Sequence, residues 1–426
     1  MERSVIRVPA FRCAHAAYNK QGISTVDQGI FSGLKVIDCA SFIAAPAAAT
    51  VLSDFGADVI KIEPPGRGDP YRALPQVPGN PTSEHNYTWI LENRNKKSIA
   101  LDLTKPPARH VLHRLVKDAD VFITNYPPPV RRRLGVTYED IAPLNEGLIY
   151  ASFTGYGELG EEAHRPGFDS NAWWARSGLM DLVRPHAGAP PARSVPGMGD
   201  HPSAIALYAA IVTALLRRER TGKGAHVGSS LMANGAWANG VFIQAQLCGA
   251  TFYPRQPREN ALNALTNHYL CRDQRWLMLS LLDQERQWPL LAACVGREEL
   301  VHDPRFATAS ARQAHARDLI AILDAVFATK DLAAWRAILD SHDLITGAVA
   351  TLEDIPGDRQ MLANDVLVPL GNDGMLTVNS PFWIAQADKV APRRAPDVGE
   401  HSNDVLRAAG YGDAEIGRLR ASGAVG

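Results

Sequence analysis

Short apolar runs alternate with helical patterns through the first 150 residues of this 426-residue chain. The runs that favour buried strands lie at 34–40, 57–63, 98–103, 120–125 and 147–153, and the segments 46–56 and 106–119 have helical spacing. Strands that are joined through a helix run parallel, and their crossover connections are right-handed. We therefore predict the α/β class, with a doubly wound parallel sheet.

The carboxyl ends of the strands are where such a sheet binds its ligand. Three of these ends read CASFIAAPA, EPPGRGDPYR and TNYPPPVRRR. None of them contains GxGxxG, so a dinucleotide site is a weak hypothesis. Arg131, Arg132 and Arg133 could bind phosphates through their planar guanidinium groups, although such a run is also typical of a solvated basic turn.

Composition and motifs argue against several classes of function. The 44 Lys and Arg against 45 Asp and Glu give a formal net charge of −1, which does not favour nucleic acid as a partner. The sequence has no HExxH, EF-hand or CxxC motif, so we predict no metal. It also has no P-loop and no GxSxG elbow. The remaining carboxylates, glycine loops and Arg and Lys residues suit a large anionic cofactor.

Cysteine usage and apolar runs predict the compartment. The five cysteines are scattered, and the N-terminal residues lack the apolar core of a signal peptide. The longest apolar run, AIALYAAIVTALL, is too short to span a bilayer. We therefore expect a cytoplasmic protein without a membrane partner.

A second structural pattern begins near the Pro- and Asn-rich segment 251–267. Residues 268–281 predict a hairpin, and three amphipathic helices follow it near 284–295, 311–328 and 331–341. These elements predict a small α+β domain. The C-terminal segment, which ends in the predicted helix SNDVLRAAG, resembles a return to the first domain.

Asp200 stands at the start of a long apolar helix, in the stretch PGMGDHPSAIALYAAIVTALLRRERTGKG. One interpretation is an N-terminal cap, since Asp is favoured there and Pro202 fits the first turn. The other is a nucleophile, because the helix terminus favours an ionised carboxylate and Gly197 and Gly199 leave room for a substrate. The two roles are compatible.

Six segments together resemble the class III CoA-transferases, the family that includes formyl-CoA transferase and carnitine CoA-transferase. They are GLKVIDCASFIAAPAAATVLSDFGADVIKIEPPGRGDPYR, NRNKKSIALDL, DVFITNYPPPVRRRLGVTYEDIAPLNEGLIYASFTGYG, HRPGFDS, GDHPSAIALYAAIVTALLRRERTGKG and RRAPDVGEHSNDVLRAAGY. They cover most of the chain from residue 31 onward. Residues 1–30 form an extension outside the resemblance.

The resemblance implies an interlocked homodimer in which each chain forms a ring that its partner threads. The large CoA-binding domain is then built from both ends of the chain, and a small domain is inserted between two linkers. The boundaries that we predict are 31–228 and 364–426 for the large domain, 257–345 for the small domain, and 229–256 and 346–363 for the linkers. A hetero-oligomer with a related subunit is also compatible with the sequence.

The resemblance also assigns residues to the reaction. Asp200 attacks the thioester of an acyl-CoA, giving a mixed anhydride and then an aspartyl-CoA thioester, so that CoA passes to a carboxylic acid. Asp169 supports the nucleophile, Asn125 and Tyr126 hold the adenine, and Arg133 meets a phosphate. The remaining implied CoA contacts are Ile43, Ala44, Leu101, Asp102, Leu103, Arg165, Pro166, Gly167 and Phe168, with Arg72, Lys96 and Lys97 as further phosphate contacts.

Two alternatives remain open at this point. A 2-methylacyl-CoA racemase of the same fold needs two bases, and Phe168 stands in GFDS where the racemases have a histidine. A non-catalytic CoA-binding subunit would not need Asp200. The sequence says less about which donor and acceptor acids the enzyme uses. We expect succinyl-CoA or another dicarboxylyl-CoA as donor, with Arg176 or His201 binding the second carboxylate. Trp173, Trp174 and Trp237 either line an acyl pocket or belong to the core.

Overall fold

A computed structural model describes residues 29–426 of the chain. The predicted N-terminal extension, residues 1–30, therefore lies almost entirely outside the described residues. No helix within residues 29–426 combines the length and the apolar character that a membrane crossing requires.

The strands of residues 29–426 form three sheets. The bounds are β1 Lys35–Asp38, β2 Asp58–Glu63, β3 Lys97–Ala100, β4 Val121–Thr124, β5 Ile149–Thr154, β6 Ala225–Ser230, β7 His268–Leu270, β8 Trp276–Leu279, β9 Thr346–Ala348, β10 Leu367–Pro369 and β11 Leu376–Val378. The first six strands pair in the order β3-β2-β1-β4-β5-β6, and every pair is parallel. The predicted α/β class with a parallel sheet is confirmed.

Helices cover both faces of this sheet. The bounds are α1 Ala44–Asp54, α2 Tyr87–Asn93, α3 Pro106–Lys117, α4 Pro128–Leu134, α5 Tyr138–Ile141, α6 Leu179–Leu182, α7 Asp200–Thr221, α8 Leu231–Ala238, α9 Gly240–Leu247, α10 Gln284–Cys294, α11 Ala309–Ala314, α12 Ala316–Phe327, α13 Leu332–Asp340, α14 Arg359–Ala363, α15 Ser402–Ala408 and α16 Asp413–Ala421. Short 3-10 turns and one π-helix, Asp169–Ala175, lie between them.

The alternation of side chains along the strands creates two cores. Val36 and Val121 face the core that holds α1 and α7, whereas the next residues, Ile37 and Phe122, face the core that holds α3, α15 and α16. Successive side chains of a strand point to opposite faces, so a strand buried on both sides is a continuous apolar run. This is why the sequence shows these strands as unbroken apolar segments.

A third core lies within residues 264–344 and is built around a hairpin. Strands β7 and β8 pair antiparallel, and β9 joins β8. Helices α10, α12 and α13 bury residues such as Trp288, Leu323 and Trp335 against them. The hairpin and the three helical regions occur where the sequence predicts them, whereas the domain and linker boundaries remain predictions.

The C-terminal helices return to the large sheet. Val405 and Ile416, from α15 and α16, are buried in the same core as α3. Val425 forms an isolated antiparallel bridge with Leu101, directly beyond β3. The two ends of the described chain therefore contribute to one core.

Candidate active site

The strand order reverses between β1 and β4, which makes the carboxyl ends of these strands the expected ligand crevice. Asn125, immediately after β4, joins the two strand ends. Its side-chain amide donates to the Ser41 carbonyl over 2.6 Å, and its carbonyl accepts from the Ser41 N–H over 2.8 Å. Both polar groups of Asn125 thus hold the floor of the crevice together.

The loop after β1 contains one left-handed residue. Phe42 has a φ of 62°, a conformation that costs a residue with a side chain roughly 1–2 kcal/mol. Its N–H donates to Asp69 Oδ1 over 3.2 Å, and Asp69 forms a 2.9 Å ion pair with Lys61. The Lys61 ammonium also donates to the Ala40 carbonyl over 2.7 Å. These contacts hold the strained loop from below.

Asp38, Lys61, Asp69 and Lys96 form a buried four-ion cluster beneath the crevice. Asp38 lies 3.5 Å from the Lys61 ammonium and 2.9 Å from the Lys96 ammonium. Burial opposes ionisation of Asp38, but the two lysines outweigh burial and lower its pKa. Such a cluster is stable only when its charges remain paired, because an isolated buried charge is strongly unfavourable.

Asp200 is the first residue of α7, and Gly199 occupies the cap position. The expectation that Asp200 caps the helix is wrong, because its side chain accepts no N–H of the first turn. Helix α7 leads into β6, a parallel strand, so its first turn lies at the carboxyl edge of the sheet. Asp200 therefore stands beside the crevice.

The carboxyl group of Asp200 is half-buried, and no group within residues 29–426 forms a hydrogen bond with it. Burial, with the nearby charges of Asp169 and Glu92, raises its pKa to about 8, and His201 opposes this rise. The expected lowering by the helix terminus is thus outweighed by burial and by two acidic neighbours. An unpaired carboxyl at the edge of a crevice can act as an oxygen nucleophile when ionised.

The π-helix supplies the neighbour of this carboxyl group. Asp169, its first residue, is buried and accepts the Gly199 N–H at its Oδ2 over 3.2 Å. Trp173, from the same segment, packs directly on Gly199, where a Cβ atom would lie 2.6 Å from the indole ring. The residue before Asp200 is thereby fixed from two sides. Single π-helical turns are frequent at functional sites.

A row of aromatic side chains lies at the same edge. The ring of Phe42 is 6.3 Å from that of Tyr71 and 5.2 Å from that of Phe168, which is 56% exposed. Burial, together with the charges of Glu92 and Asp200, raises the pKa of Tyr71 far above its ordinary value. Tyr71 therefore remains neutral beside the two carboxylates, and the row gives the site an apolar wall.

The comparison with known proteins decides the family. Residues 31–402 match the sequence profile of CoA-transferase family III. The chain belongs to this family. It is accordingly an enzyme of the class III CoA-transferases, which use CoA thioesters as substrates.

Individual relatives of this CoA-transferase agree with the family assignment. It is 34% identical to the (R)-2-hydroxy-4-methylpentanoate CoA-transferase of Clostridioides difficile, over 92% of this chain and 98% of that protein. It is also 34% identical to the cinnamoyl-CoA:phenyllactate CoA-transferase of Clostridium sporogenes, over 92% and 96% of the two chains. The succinyl-CoA:glutarate CoA-transferase of Mus musculus is 29% identical, over 92% and 89%.

A solved structure supports the same fold. The CAIB/BAIF family protein from Brucella suis superposes with a TM-score of 0.79 at 28% identity, covering 90% of this chain and 100% of that chain. The six-stranded parallel sheet of this chain therefore belongs to a fold that is already known from a solved structure.

Most residues predicted to contact CoA lie at the carboxyl ends of the strands in this CoA-transferase. Ile43 and Ala44 begin α1 directly after β1, and both are buried. Leu101, Asp102 and Leu103 follow β3, Asn125 and Tyr126 follow β4, and Arg165, Pro166, Gly167 and Phe168 precede the π-helix. Arg133 is exposed on α4, and no group within residues 29–426 pairs with it. Its guanidinium therefore remains available for a phosphate.

The side chains of three predicted phosphate contacts are engaged with other groups of the protein. Arg72 binds Glu63 with two hydrogen bonds of 2.8 Å and stacks on Trp89 at 3.5 Å. The Lys96 ammonium is buried in the four-ion cluster. Lys97 begins β3 at the amino end of the sheet, opposite the crevice, and pairs with Asp58 over 2.8 Å. We therefore leave these three residues out of the proposed CoA site.

Sequence reasoning missed Glu92 and Phe42. Glu92 is 1% exposed and forms a 2.6 Å hydrogen bond with His201, 109 positions later. A charged residue inside the apolar stretch YTWILEN was a signal that it has an internal partner. No local signal in CASFIAAPA marks the left-handed conformation of Phe42.

Metal ligands are not grouped in the described part of the chain. Within residues 29–426 no three His, Cys, Asp or Glu side chains are placed to hold a metal ion. Trp173 and Trp174 are buried members of the core beneath α7, with ring centroids 5.9 Å apart, whereas Trp237 is exposed on α8. The first two tryptophans therefore belong to the core.

Proposed function

We propose that this enzyme transfers CoA from an acyl-CoA donor to a carboxylic acid through covalent intermediates on Asp200. The observation that carries the proposal is the unpaired carboxyl of Asp200 at the carboxyl edge of the sheet, beside the buried Asp169. This is the edge at which a doubly wound fold binds its ligand. The position therefore brings a nucleophile to the ligand crevice.

The proposed steps conserve charge and need no proton transfer. The Asp200 carboxylate attacks the thioester carbonyl and expels CoA thiolate, forming a mixed anhydride. The thiolate attacks the aspartyl carbonyl, which releases the donor acid and leaves an aspartyl-CoA thioester. The acceptor carboxylate then attacks this thioester to form a second anhydride, and the thiolate attacks the acceptor carbonyl to give the new acyl-CoA. Backbone N–H groups of the glycine loops around Asp200, other than the Gly199 N–H that donates to Asp169, are proposed to stabilise the oxyanions.

Trapping of the intermediate tests the proposal directly. The enzyme is incubated with acyl-CoA and hydroxylamine, and its peptides are analysed by mass spectrometry. We expect a hydroxamate on Asp200 and none on Asp169 or Glu92. Modification of a different acid, or none during active turnover, would show that the covalent route is wrong.

The racemase alternative lacks a second base at the expected position. Phe168 occupies it, is 56% exposed and packs edge-on against Phe42. Because a phenyl ring cannot carry a proton, exchange of the α-proton should be negligible. Incorporation of deuterium into a 2-methylacyl-CoA at a rate comparable to transfer would favour the racemase.

The identity of the acid is a separate part of the proposal. Arg176 pairs with Glu162 over 3.0 Å, and His201 pairs with Glu92 over 2.6 Å, so neither is free for a second carboxylate. The charges that act on Asp200 from Asp169 and Glu92 are negative, and the aromatic row is apolar. We therefore propose a monocarboxylic acid with an apolar side chain rather than the dicarboxylic acid that the sequence analysis favours.

A panel of acids tests this preference. With one acyl-CoA donor, we expect kcat/KM for 2-hydroxy-4-methylpentanoate or phenyllactate to exceed that for succinate or glutarate by at least about tenfold, because a second carboxylate would lie against an apolar wall and near the negative charge of Asp169. The measurement is product formation by mass spectrometry at matched concentrations. A higher kcat/KM for succinate or glutarate would restore the dicarboxylic assignment.

We further propose that the enzyme is an interlocked homodimer. Large apolar side chains are exposed in the predicted linkers, including Trp237 at 87% and Leu352 at 90%, with Val241 and Tyr253 nearby in sequence. Exposed apolar surface of this kind is typical of protein interfaces. A second copy of the chain, threaded as the resemblance implies, would cover it.

Light scattering after size exclusion tests the assembly. We expect twice the mass of one chain for the wild type, and a shift towards the monomer for a Trp237→Asp, Val241→Asp double variant. Leu159→Asp is the matched control, because Leu159 is 90% exposed outside the linkers. A wild-type monomer at micromolar concentration would contradict the proposal.

A further inference from the structure

His201 follows Asp200 in the first turn of α7 and makes a strong polar contact with a distant helix. Its Nε2 lies 2.6 Å from Oε1 of Glu92, which belongs to α2. The Glu92 side chain is only 2% exposed, whereas that of His201 is 46% exposed. A buried carboxylate needs a partner, so this contact fixes the imidazole ring in place.

Gly197 lies against the ring of His201. The backbone N–H of His201 donates to the Gly197 carbonyl over 3.1 Å in the first turn of α7. Gly197 has a φ of +81°, and a Cβ atom there would lie 2.8 Å from the ring of His201. Glycine is therefore required both by the backbone conformation and by the close approach of the imidazole.

Glu92 itself is anchored to the sheet layer. Its backbone carbonyl accepts a hydrogen bond from the hydroxyl of Thr50, which lies in the middle of α1. Because α1 packs on α7, the pair bridges helices that are already in contact. The position of His201 is thus determined by three helices.

The charges around Asp200 come from four segments. Asp169 of the π-helix and Glu92 of α2 are negative, Tyr71 of the 3-10 turn Pro70–Gln76 is neutral, and His201 is the neighbour on α7. Two acids and partial burial favour a protonated, unreactive Asp200. A positive charge close to Asp200 lowers the pKa of its carboxyl group and so opposes this protonation.

We propose that Glu92 and His201 form a positioning pair in which Glu92 fixes a charged His201 beside Asp200, so that a larger fraction of the nucleophile is ionised and able to attack. This inference rests on the proposed role of Asp200. Burial opposes the charge on His201, but the hydrogen bond and charge of Glu92, with the charge of Asp200, raise its pKa to about 9. The imidazolium therefore persists at neutral pH.

The test uses substitutions that change charge while keeping a hydrogen bond to Glu92. His201→Gln retains an N–H donor and loses the positive charge, so the pKa of Asp200 should rise. The acid limb of the pH profile of kcat/KM should then move upward by about one pH unit, with about a tenfold lower rate on that limb. His201→Lys keeps the charge and should leave the limb close to its wild-type position.

His226→Gln is the matched control. His226 lies 3.9 Å from Glu158 on the far side of β5, and it does not act on Asp200. Its substitution should leave the pH profile unchanged. Urea unfolding establishes that each variant is folded, and His201→Asn replaces His201→Gln should the latter not fold.

The outcomes separate this inference from the proposed function. The positioning role would be wrong if the acid limb of His201→Gln did not move. It would also be wrong if His201→Gln and His201→Lys lost the same fraction of the rate at every pH. If an Asp200→Ala variant remains active, the proposed function fails instead. If Asp200→Ala is inactive but the acid limb of His201→Gln does not move, the proposed function stands and only the positioning role of Glu92 and His201 is wrong.

Discussion

The Asp200→Ala variant is expected to lose CoA transfer by at least about a thousandfold, because no covalent intermediate can form without the nucleophile. CoA binding should change little, since none of the contacts predicted for the cofactor lies on α7. Initial rates with acyl-CoA and acceptor acid measure the first quantity, and calorimetric titration with CoA measures the second.

Two further variants test whether the loss of transfer is due to the missing carboxylate of Asp200. Asp200→Asn keeps the size of the side chain but not its charge, and it should be as inactive as the alanine variant. Asp404→Ala removes an exposed aspartate of α15 and should retain the wild-type rate. A residual rate above about one tenth in Asp200→Asn would indicate that another group attacks the thioester.

The Gly199→Ala variant should have the second largest effect. Its Cβ atom would lie 2.6–2.9 Å from atoms of Trp173, which is only 6% exposed and cannot turn away. Overpacking of this kind costs about 1–3 kcal/mol of unfolding free energy. Displacement of the start of α7 by about 1 Å would also lower the transfer rate by about a hundredfold.

Urea unfolding and initial rates measure the two effects separately. Gly417→Ala provides the matched control, since a Cβ atom at that exposed helical position, outside the predicted linkers, meets nothing within 4 Å. The control should unfold within about 0.5 kcal/mol of the wild type and keep its rate. If Gly199→Ala behaved like Gly417→Ala, the contact with Trp173 could not be what positions Asp200.

The sheet could be predicted from the sequence because its strands are buried on both faces. The expected strand 120–125 is Val121–Thr124, and the expected helix 106–119 is Pro106–Lys117. Apolar runs, prolines in first turns and glycines after helices are local signals, and here tertiary contacts agree with them. Only the ends of the elements differ, by one to three residues.

The side-chain partners could not be predicted in the same way. Lys96 appears in a basic motif that suggests phosphate, yet it is buried against Asp38, 58 positions earlier. Asp200 has the sequence context of a cap, but the chain enters α7 one residue sooner, at Gly199. Such pairings depend on which strand ends the fold brings together, and no local pattern records them.

The four-ion cluster beneath the crevice has an evolutionary consequence. Loss of one of its charges would leave a buried ion unpaired, at a cost of about 3–5 kcal/mol, so single substitutions there are rarely tolerated. The exposed ring of Phe168 carries no such constraint. If the apolar wall selects the acid as proposed, descendants of this enzyme could change their acid through such single exchanges, whereas the ions beneath the crevice would be inherited as one unit.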